Sequence, residues 1–167
     1  LPEGEFDAPL GISTGAATIF GVTGGVMEAA LRTVYEVVTR KPLGKVEFSE
    51  VRGMEGIREA VIDLAGQEVR VAVAHGLGNA GKLLQSIRDG KATYHFIEIM
   101  SCPGGCIAGG GQPRSQDPDI AVKRAAALYA EDRGFKVRKS HENLAVRRLY
   151  DEFLGKPGSE LAHELLH

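Results

Sequence analysis

Between residues 24 and 39 apolar side chains recur at helical spacing, with Val26, Ala29, Ala30, Val34, Val37 and Val38 on one face. Thr23 stands where an N-cap belongs, and Pro42 with Gly44 predicts the stop. From Lys45 the period shortens to two. Val46 and Phe48 alternate with Glu47 and Ser49, and two apolar arms, residues 57–64 and 68–74, then flank Ala65-Gly66-Gln67. This predicts a hairpin whose second arm is apolar enough to lie centrally in a sheet. A helix is predicted over 79–89, turning Leu83, Leu84 and Ile87 inward and ending at Gly90. Tyr94, Phe96, Ile97, Ile99 and Met100 predict a buried strand after it.

Further along, Asp117 caps and Pro118 opens a helix to about residue 132, with Ile120, Ala121, Ala125, Leu128 and Tyr129 inward and Gly134 ending it. Ser140 or Asn143 caps another helix through Leu154, carrying Leu144, Val146, Leu149, Tyr150 and Phe153. Residues 155–158 turn the chain and Ser159 starts a last helix. Residues 1–15, rich in Pro, Gly and acids, read as an entering loop, and 16–20 as a short extended piece. Strands among helices predict an α/β fold, a mixed β-sheet flanked by helices. With no internal repeat, low-complexity tract or interdomain linker, residues 1–167 are expected to form a single domain.

Composition narrows the function classes. The 167 residues are 43% hydrophobic, enough for one core, and the net charge of -2 gives no reason to expect nucleic acid or an anionic membrane as partner. Mean hydropathy is -0.10, and no apolar run reaches the roughly 20 residues of a membrane helix. No signal-peptide pattern opens the chain, which carries weight only for a chain that begins at its natural start.

Unusual chemistry concentrates in residues 98–113, E-I-M-S-C-P-G-G-C-I-A-G-G-G-Q-P. The two cysteines of the chain, Cys102 and Cys106, follow the predicted strand at its carboxyl end, where α/β sheets place ligand sites. Gly104, Gly105, Gly109, Gly110 and Gly111 let the backbone approach something bulky. Two thiols beside such a backbone suggest a cluster seat, and an inert buried pair is the alternative. The spacing is not that of a zinc knuckle, and a structural zinc or iron-sulfur site takes four ligands, so two more would come from elsewhere.

Other motifs compete. Gly76-x-x-x-x-Gly81-Lys82 outlines a phosphate-binding loop, but position 83 is Leu where a magnesium-binding hydroxyl belongs. Gly21, Gly24 and Gly25 could bind an anion through exposed amides or serve close helix packing. His163-Glu164-Leu165-Leu166-His167 fits H-E-x-x-H, in which two histidines hold zinc and the glutamate activates water, so a zinc hydrolase is an alternative reading. His75, His95 and His141 read as hydrogen-bonded structural residues. Lys136, Arg138, Lys139, Arg147 and Arg148 read as a solvated helix face, at best a docking surface.

The stretch M-S-C-P-G-G-C-I-A-G-G-G-Q-P resembles the third cysteine signature of the catalytic domain of iron-only (di-iron) hydrogenases. F-D-A-P-L-G-I-S-T-G-A-A-T-I-F-G-V-T-G-G-V-M-E-A-A-L-R from Phe6, S-H-E-N from Ser140 and E-F-L-G-K-P from Glu152 extend the resemblance over nearly the whole chain. The resemblance implies that Cys102 ligates a 4Fe-4S cubane and that Cys106 both ligates it and bridges to a di-iron subcluster, the H-cluster. It implies that Met100 lines the di-iron pocket and that Phe20 packs over the diatomic ligands. The implied reaction is reversible interconversion of H2 with protons and electrons.

Two earlier cysteine signatures of the family, the proton-shuttling thiol, and the lysine and acids that complete the pocket and proton path are absent from this chain. The expectation is therefore one lobe of a two-lobed catalytic domain, its C-terminal part, inactive alone and partnered by the missing N-terminal lobe. Electrons would pass to ferredoxin or to a flavin subunit linked to NAD(P), in the cytoplasm. The run from S-H-E-N to the last helix resembles single-chain cytoplasmic hydrogenases more than the split periplasmic type, and the family's last helix commonly ends in a similar leucine-histidine run. The alternative within the superfamily is a non-catalytic iron-sulfur assembly or interaction protein without the di-iron unit, against which Met100 and the I-F-G stretch argue.

Overall fold

The structure, a computed structural model, describes Gly4 and residues 12–166. Most of the expected entering loop, the first residues of the F-D-A-P-L-G-I stretch and His167 lie outside the described residues.

Strands β1 (Ile57–Leu64) and β2 (Gln67–His75) form the predicted antiparallel hairpin, pairing Leu64 with Gln67 and Ile57 with Ala74. Ala65 and Gly66 close it with φ of 55° and 95°. Two consecutive positive φ values fit the twist of a tight hairpin, and Gly66 takes the second without strain. Helix α3 (Leu77–Arg88) then carries the chain over to β3 (Phe96–Met100), which runs parallel to β2 and gives the order β1-β2-β3.

The central position of β2 follows from its sequence. Val71 and Val73 point to one face and join Ile62, Leu64, Val51 and residues of α2 (Gly25–Thr39), while Ala72 and Ala74 point to the other and pack on Leu83 of α3. A third cluster joins α1 (Gly15–Thr18), the 3-10 turn Ile19–Gly21 and α4 (Ile120–Gly134) through Ala16, Ile19, Ala29, Ile107 and Tyr129. Helix α5 (Leu144–Leu149) winds into a π-turn over Tyr150–Leu154, and α6 (Glu160–Leu166) follows.

Several expectations need correction. Residues 16–20 are helical, and Val46 and Phe48 lie outside the sheet. On α2, Ala29 is buried as expected, but Val34, Val37 and Val38 are exposed, and the helix buries Met27, Glu28, Leu31 and Arg32 in their place. The physical reason is charge pairing: Arg32 reaches Asp132 of α4 at 2.8 Å and Glu28 at 2.8 Å, with all three side chains fully buried. Strand β3 is an edge strand whose one buried residue is Glu98, with Phe96 and Ile99 exposed. Leu84, Leu144 and Phe153 are also exposed. The basic run is only partly a solvated face, because Arg138 pairs with Asp132 and Glu47, and Lys139 with Glu36 and Glu142.

Some helix starts carry the expected caps and others do not. Asn143 caps α5 by accepting from the amides of Ala145 and Val146, and Ser159 accepts from Ala162 at the start of α6. Asp117 accepts from the Asp119 amide, but α4 begins at Ile120 with Asp119 at its N-cap and no side-chain cap, so Asp117 and Pro118 form a turn ahead of the helix and do not start it. Thr23 does not cap α2. Gly24 holds that position with φ 87°, and the Thr23 hydroxyl is buried without a hydrogen-bond partner.

Candidate functional site

The cysteine loop leaves the carboxyl end of β3 and is shaped by glycines that are buried although they belong to a loop. Gly104 and Gly105 adopt φ of 80° and 93°, a region L side chains avoid. A Cβ on Gly105 would lie 2.8 Å from the Gly21 carbonyl oxygen, 2.9 Å from Met100 Sδ and 2.9 Å from the Thr23 nitrogen. Only glycine fits there, and the fit presses the cysteine loop onto the turn that carries Phe20.

Hydrogen bonds hold the same contact. The Thr23 amide donates to the Gly104 carbonyl at 3.0 Å, and the Gly105 amide to the Cys102 carbonyl at 3.0 Å. The Gly104 amide donates to His75 Nδ1 at 3.0 Å. From the far side, Arg124 of α4 donates to the carbonyls of Ile107 at 2.8 Å and Pro113 at 2.5 Å. Three elements thus clamp the loop, and Cys102 and Cys106 emerge from it as exposed free thiols. Phe20 is 47% exposed and Met100 half-buried. The backbone contacts bring the Phe20 turn, Met100 and the two cysteines to one end of the sheet.

Glu98 completes the frame. Its carboxylate accepts from the Gly24 amide at 2.6 Å and the Met27 amide at 2.7 Å, capping α2 from a neighbouring strand. Burial pushes its pKa up, against the pull of the Gly24 and Met27 amides and the Arg58 charge. Arg58 in turn donates to the carbonyls of Val51, Gly53 and Thr23. Of the two readings of Gly21, Gly24 and Gly25, close packing holds at Gly25, where a Cβ would meet the Ile19 carbonyl oxygen, while the Gly24 amide is taken by Glu98. Sequence reasoning missed Glu98, whose one signal is an acid alone in an apolar strand, F-I-E-I-M. It missed Arg58 and Arg124 too, which carry no local signal.

The competing motifs fare differently. The Gly76 amide, which a phosphate loop would need, donates to the Met100 carbonyl at 2.8 Å. His163 and Glu164 lie on α6, and His167, the second histidine of H-E-x-x-H, is outside the described residues. His75, His95 and His141 are hydrogen-bonded as expected, to Gly104, Arg70 and Glu36. Among the described residues one metal-type trio gathers, Glu36, His141 and Glu142. Lys139 already supplies its cation, at 2.7 Å from Glu36 and 2.6 Å from Glu142. A cavity of about 800 Å³ beside it is lined by Thr33, His141, Val146 and Tyr150, and by no residue of the cysteine loop.

Comparison with known proteins agrees with this frame. The family described as iron only hydrogenase large subunit, C-terminal domain, matches residues 1–110, and the one described as iron hydrogenase small subunit matches 118–167. NADP-reducing hydrogenase subunit HndD of Solidesulfovibrio fructosivorans is 57% identical over 168 residues, covering 100% of this chain and 28% of its own length. Iron hydrogenase 1 of Clostridium pasteurianum is 43% identical over 172 residues, covering 100% of this chain and 30% of its own. The solved FeFe-hydrogenase HydA1 from Chlamydomonas reinhardtii superposes with a TM-score of 0.74 at 48% identity, over 100% of this chain and 49% of that one. A probable cytosolic Fe-S cluster assembly factor of Culex quinquefasciatus is more distant, 34% identical over 87% of this chain and 30% of its own length. The chain therefore spans less than a third of the curated relatives and about half of the solved one. By sequence, by fold and by the loop at the end of its sheet, the chain belongs to the iron-only hydrogenase large subunit family, in its C-terminal domain.

Proposed function

We propose that residues 1–167 form a single domain, the C-terminal lobe of a hydrogenase catalytic domain, and that the complete protein interconverts H2 with protons and electrons. In this reading Cys102 and Cys106 ligate a 4Fe-4S cubane, Cys106 also bridges to a di-iron subcluster, and Phe20 and Met100 wall the pocket. The observation that carries it is the pair of exposed thiols on an otherwise clamped, partly buried loop. A buried inert pair would have its sulfurs in the core.

The residues present fit half of the ligand set. Two thiolates supply two of the four ligands a cubane takes, so the other two come from outside this chain. When bound, the cluster supplies the electron transfer and the chemistry of the H–H bond. The chain's own residues bind, orient and shield. Thiolate sulfurs donate charge to iron, the glycine loop fixes their direction, and Phe20 and Met100 keep water away. No proton carrier is assigned to this lobe, so the lobe alone is inactive.

The open edge of β3 supports a missing partner lobe. Its apolar residues Phe96 and Ile99 are 42% and 43% exposed, and an uncovered apolar edge strand invites association. The relatives' greater length gives the source of the cover, the N-terminal part of the same protein. The electron partner is ferredoxin or an NAD(P)-linked flavin subunit, the latter in keeping with the name of HndD. The compartment proposed is the cytoplasm, which suits reduced thiols and an oxygen-sensitive cluster. No described helix is long and apolar enough to cross a membrane.

The test is anaerobic expression of the chain with and without its upstream half, followed by reconstitution with iron, sulfide and the di-iron cofactor. Iron and hydrogen evolution only with both halves, lost on Cys102→Ala or Cys106→Ala, supports the reading. A cubane without hydrogen evolution indicates the assembly-type relative. Stoichiometric zinc, lost on His163→Ala, indicates the hydrolase.

A further inference from the structure

We propose that His75 is a positioning residue for the cluster-bearing loop, acting as a neutral imidazole of one fixed tautomer that holds the Gly104 amide between the two cysteines. This rests on the cluster reading of Cys102 and Cys106.

His75 ends β2 and is 8% exposed. Its two ring nitrogens face opposite kinds of partner. Nδ1 lies 3.0 Å from the Gly104 nitrogen, whose hydrogen points at it, so Nδ1 offers a lone pair. Nε2 lies 3.2 Å from the Met54 carbonyl oxygen, which can only accept, so Nε2 carries the proton. The ring is therefore the Nε2–H tautomer. A proton on Nδ1 would confront the Gly104 N–H and break the contact.

The backbone that carries the ring is itself held in place. The His75 amide donates to the Gly56 carbonyl at 3.0 Å, and its carbonyl accepts from Asn79 Nδ2 at 2.9 Å. The support is thus rigid before it meets the loop. Gly104 stands midway between Cys102 and Cys106, and the peptides on both sides of it are held, the preceding one through the Gly104 amide by His75 and the following one through the Gly104 carbonyl by Thr23. Pro103 has no amide to offer and the Gly105 amide is committed to the Cys102 carbonyl. With Gly104 committed to His75, its N–H is not free to bond a cluster sulfur. Amide hydrogen bonds to cluster sulfurs set reduction potential. His75 therefore controls both the direction of the thiols and the number of amides free to reach them.

Two substitutions divide the ring. Asparagine places Oδ1 near the position of Nδ1 and can still accept from Gly104. Glutamine places its amide nitrogen near Nε2, so it can still donate to Met54 but offers Gly104 nothing. The experiment compares wild type, His75→Asn and His75→Gln in the complete enzyme. It reads hydrogen exchange at the Gly104 amide in the cluster-free form, then the EPR spectrum and midpoint potential of the reconstituted cubane. His75→Gln is expected to speed Gly104 exchange about tenfold, the worth of one buried hydrogen bond, to shift the potential upward and to alter the EPR line shape. His75→Asn is expected to keep slow exchange and wild-type spectra.

Equal damage by both variants would mean that His75 fills space and no more, and wild-type behaviour of His75→Gln would also overturn the assignment. If His75→Gln fails to fold, selective 15N-histidine NMR of the cluster-free wild-type enzyme decides, because a proton on Nδ1, alone or together with Nε2, sinks the proposal and a proton on Nε2 alone sustains it. Failure of the underlying reading looks different. Iron content unchanged in Cys102→Ala and Cys106→Ala would remove the cluster from this loop and the role of His75 with it.

Discussion

The cysteine loop and the Arg32 cluster fix geometry by opposite means. The loop is held chiefly by missing atoms, glycines at positive φ and a Gly105 with no room for a Cβ, and by hydrogen bonds of its backbone groups with Thr23, His75 and Arg124. The Arg32 cluster is held by charge, a buried guanidinium between Glu28 and Asp132, with Arg52 and Arg138 closing the outer sides. Burial raises the Asp132 pKa, but Arg32 and Arg138 together outweigh it and the net shift is downward. Tyr129, beneath Arg52 at 4.1 Å from its ring centroid, is pushed up to about 12 by burial and by the Glu28 charge. One region is broken by adding an atom, the other by removing a partner.

The largest expected effect therefore lies far from the cysteines. Arg32→Met strips two buried carboxylates of their shared cation and is expected to cost about 3–5 kcal/mol, read as a lowered thermal midpoint of the complete enzyme. Replacing Glu28, Arg32 and Asp132 together by apolar residues of similar size is expected to recover most of that loss. If the single replacement is neutral, charge does not hold this region. Gly105→Ala comes next. Its Cβ would collide with the Gly21 carbonyl, Met100 Sδ and the Thr23 nitrogen, at a φ of 93°. About 2–3 kcal/mol of strain is expected, together with loss of iron uptake. Gly110→Ala, with nothing within 4 Å, is the control and should bind iron as wild type does. Equal iron in both variants would end the argument from missing atoms.

The same contrast explains what could be read from the sequence. The hairpin was legible because Ala65-Gly66 and the apolar run of β2 are local signals, and the cysteine motif was legible because its residues are contiguous. The buried face of α2 was not, since Arg32 finds its partner 100 residues away in Asp132, and pattern rules send arginine to the surface. Strand β3 was misread for a related reason: its apolar Phe96 and Ile99 belong to an edge that no described strand covers. The cap of α2 was assigned to Thr23 by proximity, whereas Glu98 reaches it from 74 residues along. Long-range charge and the uncovered edge were the parts that periodicity does not encode.

Glu98 joins the two strategies, being a buried charge that braces the glycine frame. Glu98→Gln keeps an acceptor for one of the two amides and discards the charge at the α2 N-terminus. The expected loss is about 1 kcal/mol, and the Gly24 and Met27 amides should exchange faster with solvent. Unchanged exchange would show that the helix start is held by packing alone.

The last test concerns charge at the half-buried end of the same helix. Glu36 is held down to about 2, from an ordinary 4.5, chiefly by the Leu43 amide and then by Lys139, with His141 adding to the pull and burial opposing. A depressed carboxylate pKa contributes stability that is fully present above the unfolded value and is lost as pH falls through the folded one. The contribution should therefore be complete above about pH 4.5 and gone near pH 2. The difference in urea midpoint between wild type and Glu36→Gln should stay constant from pH 7 to 5 and shrink steadily below that. A difference that persists at pH 2.5 would mean that Glu36 stabilises this corner through shape rather than charge, and would set it apart from the Arg32 cluster, where paired charges hold the packing.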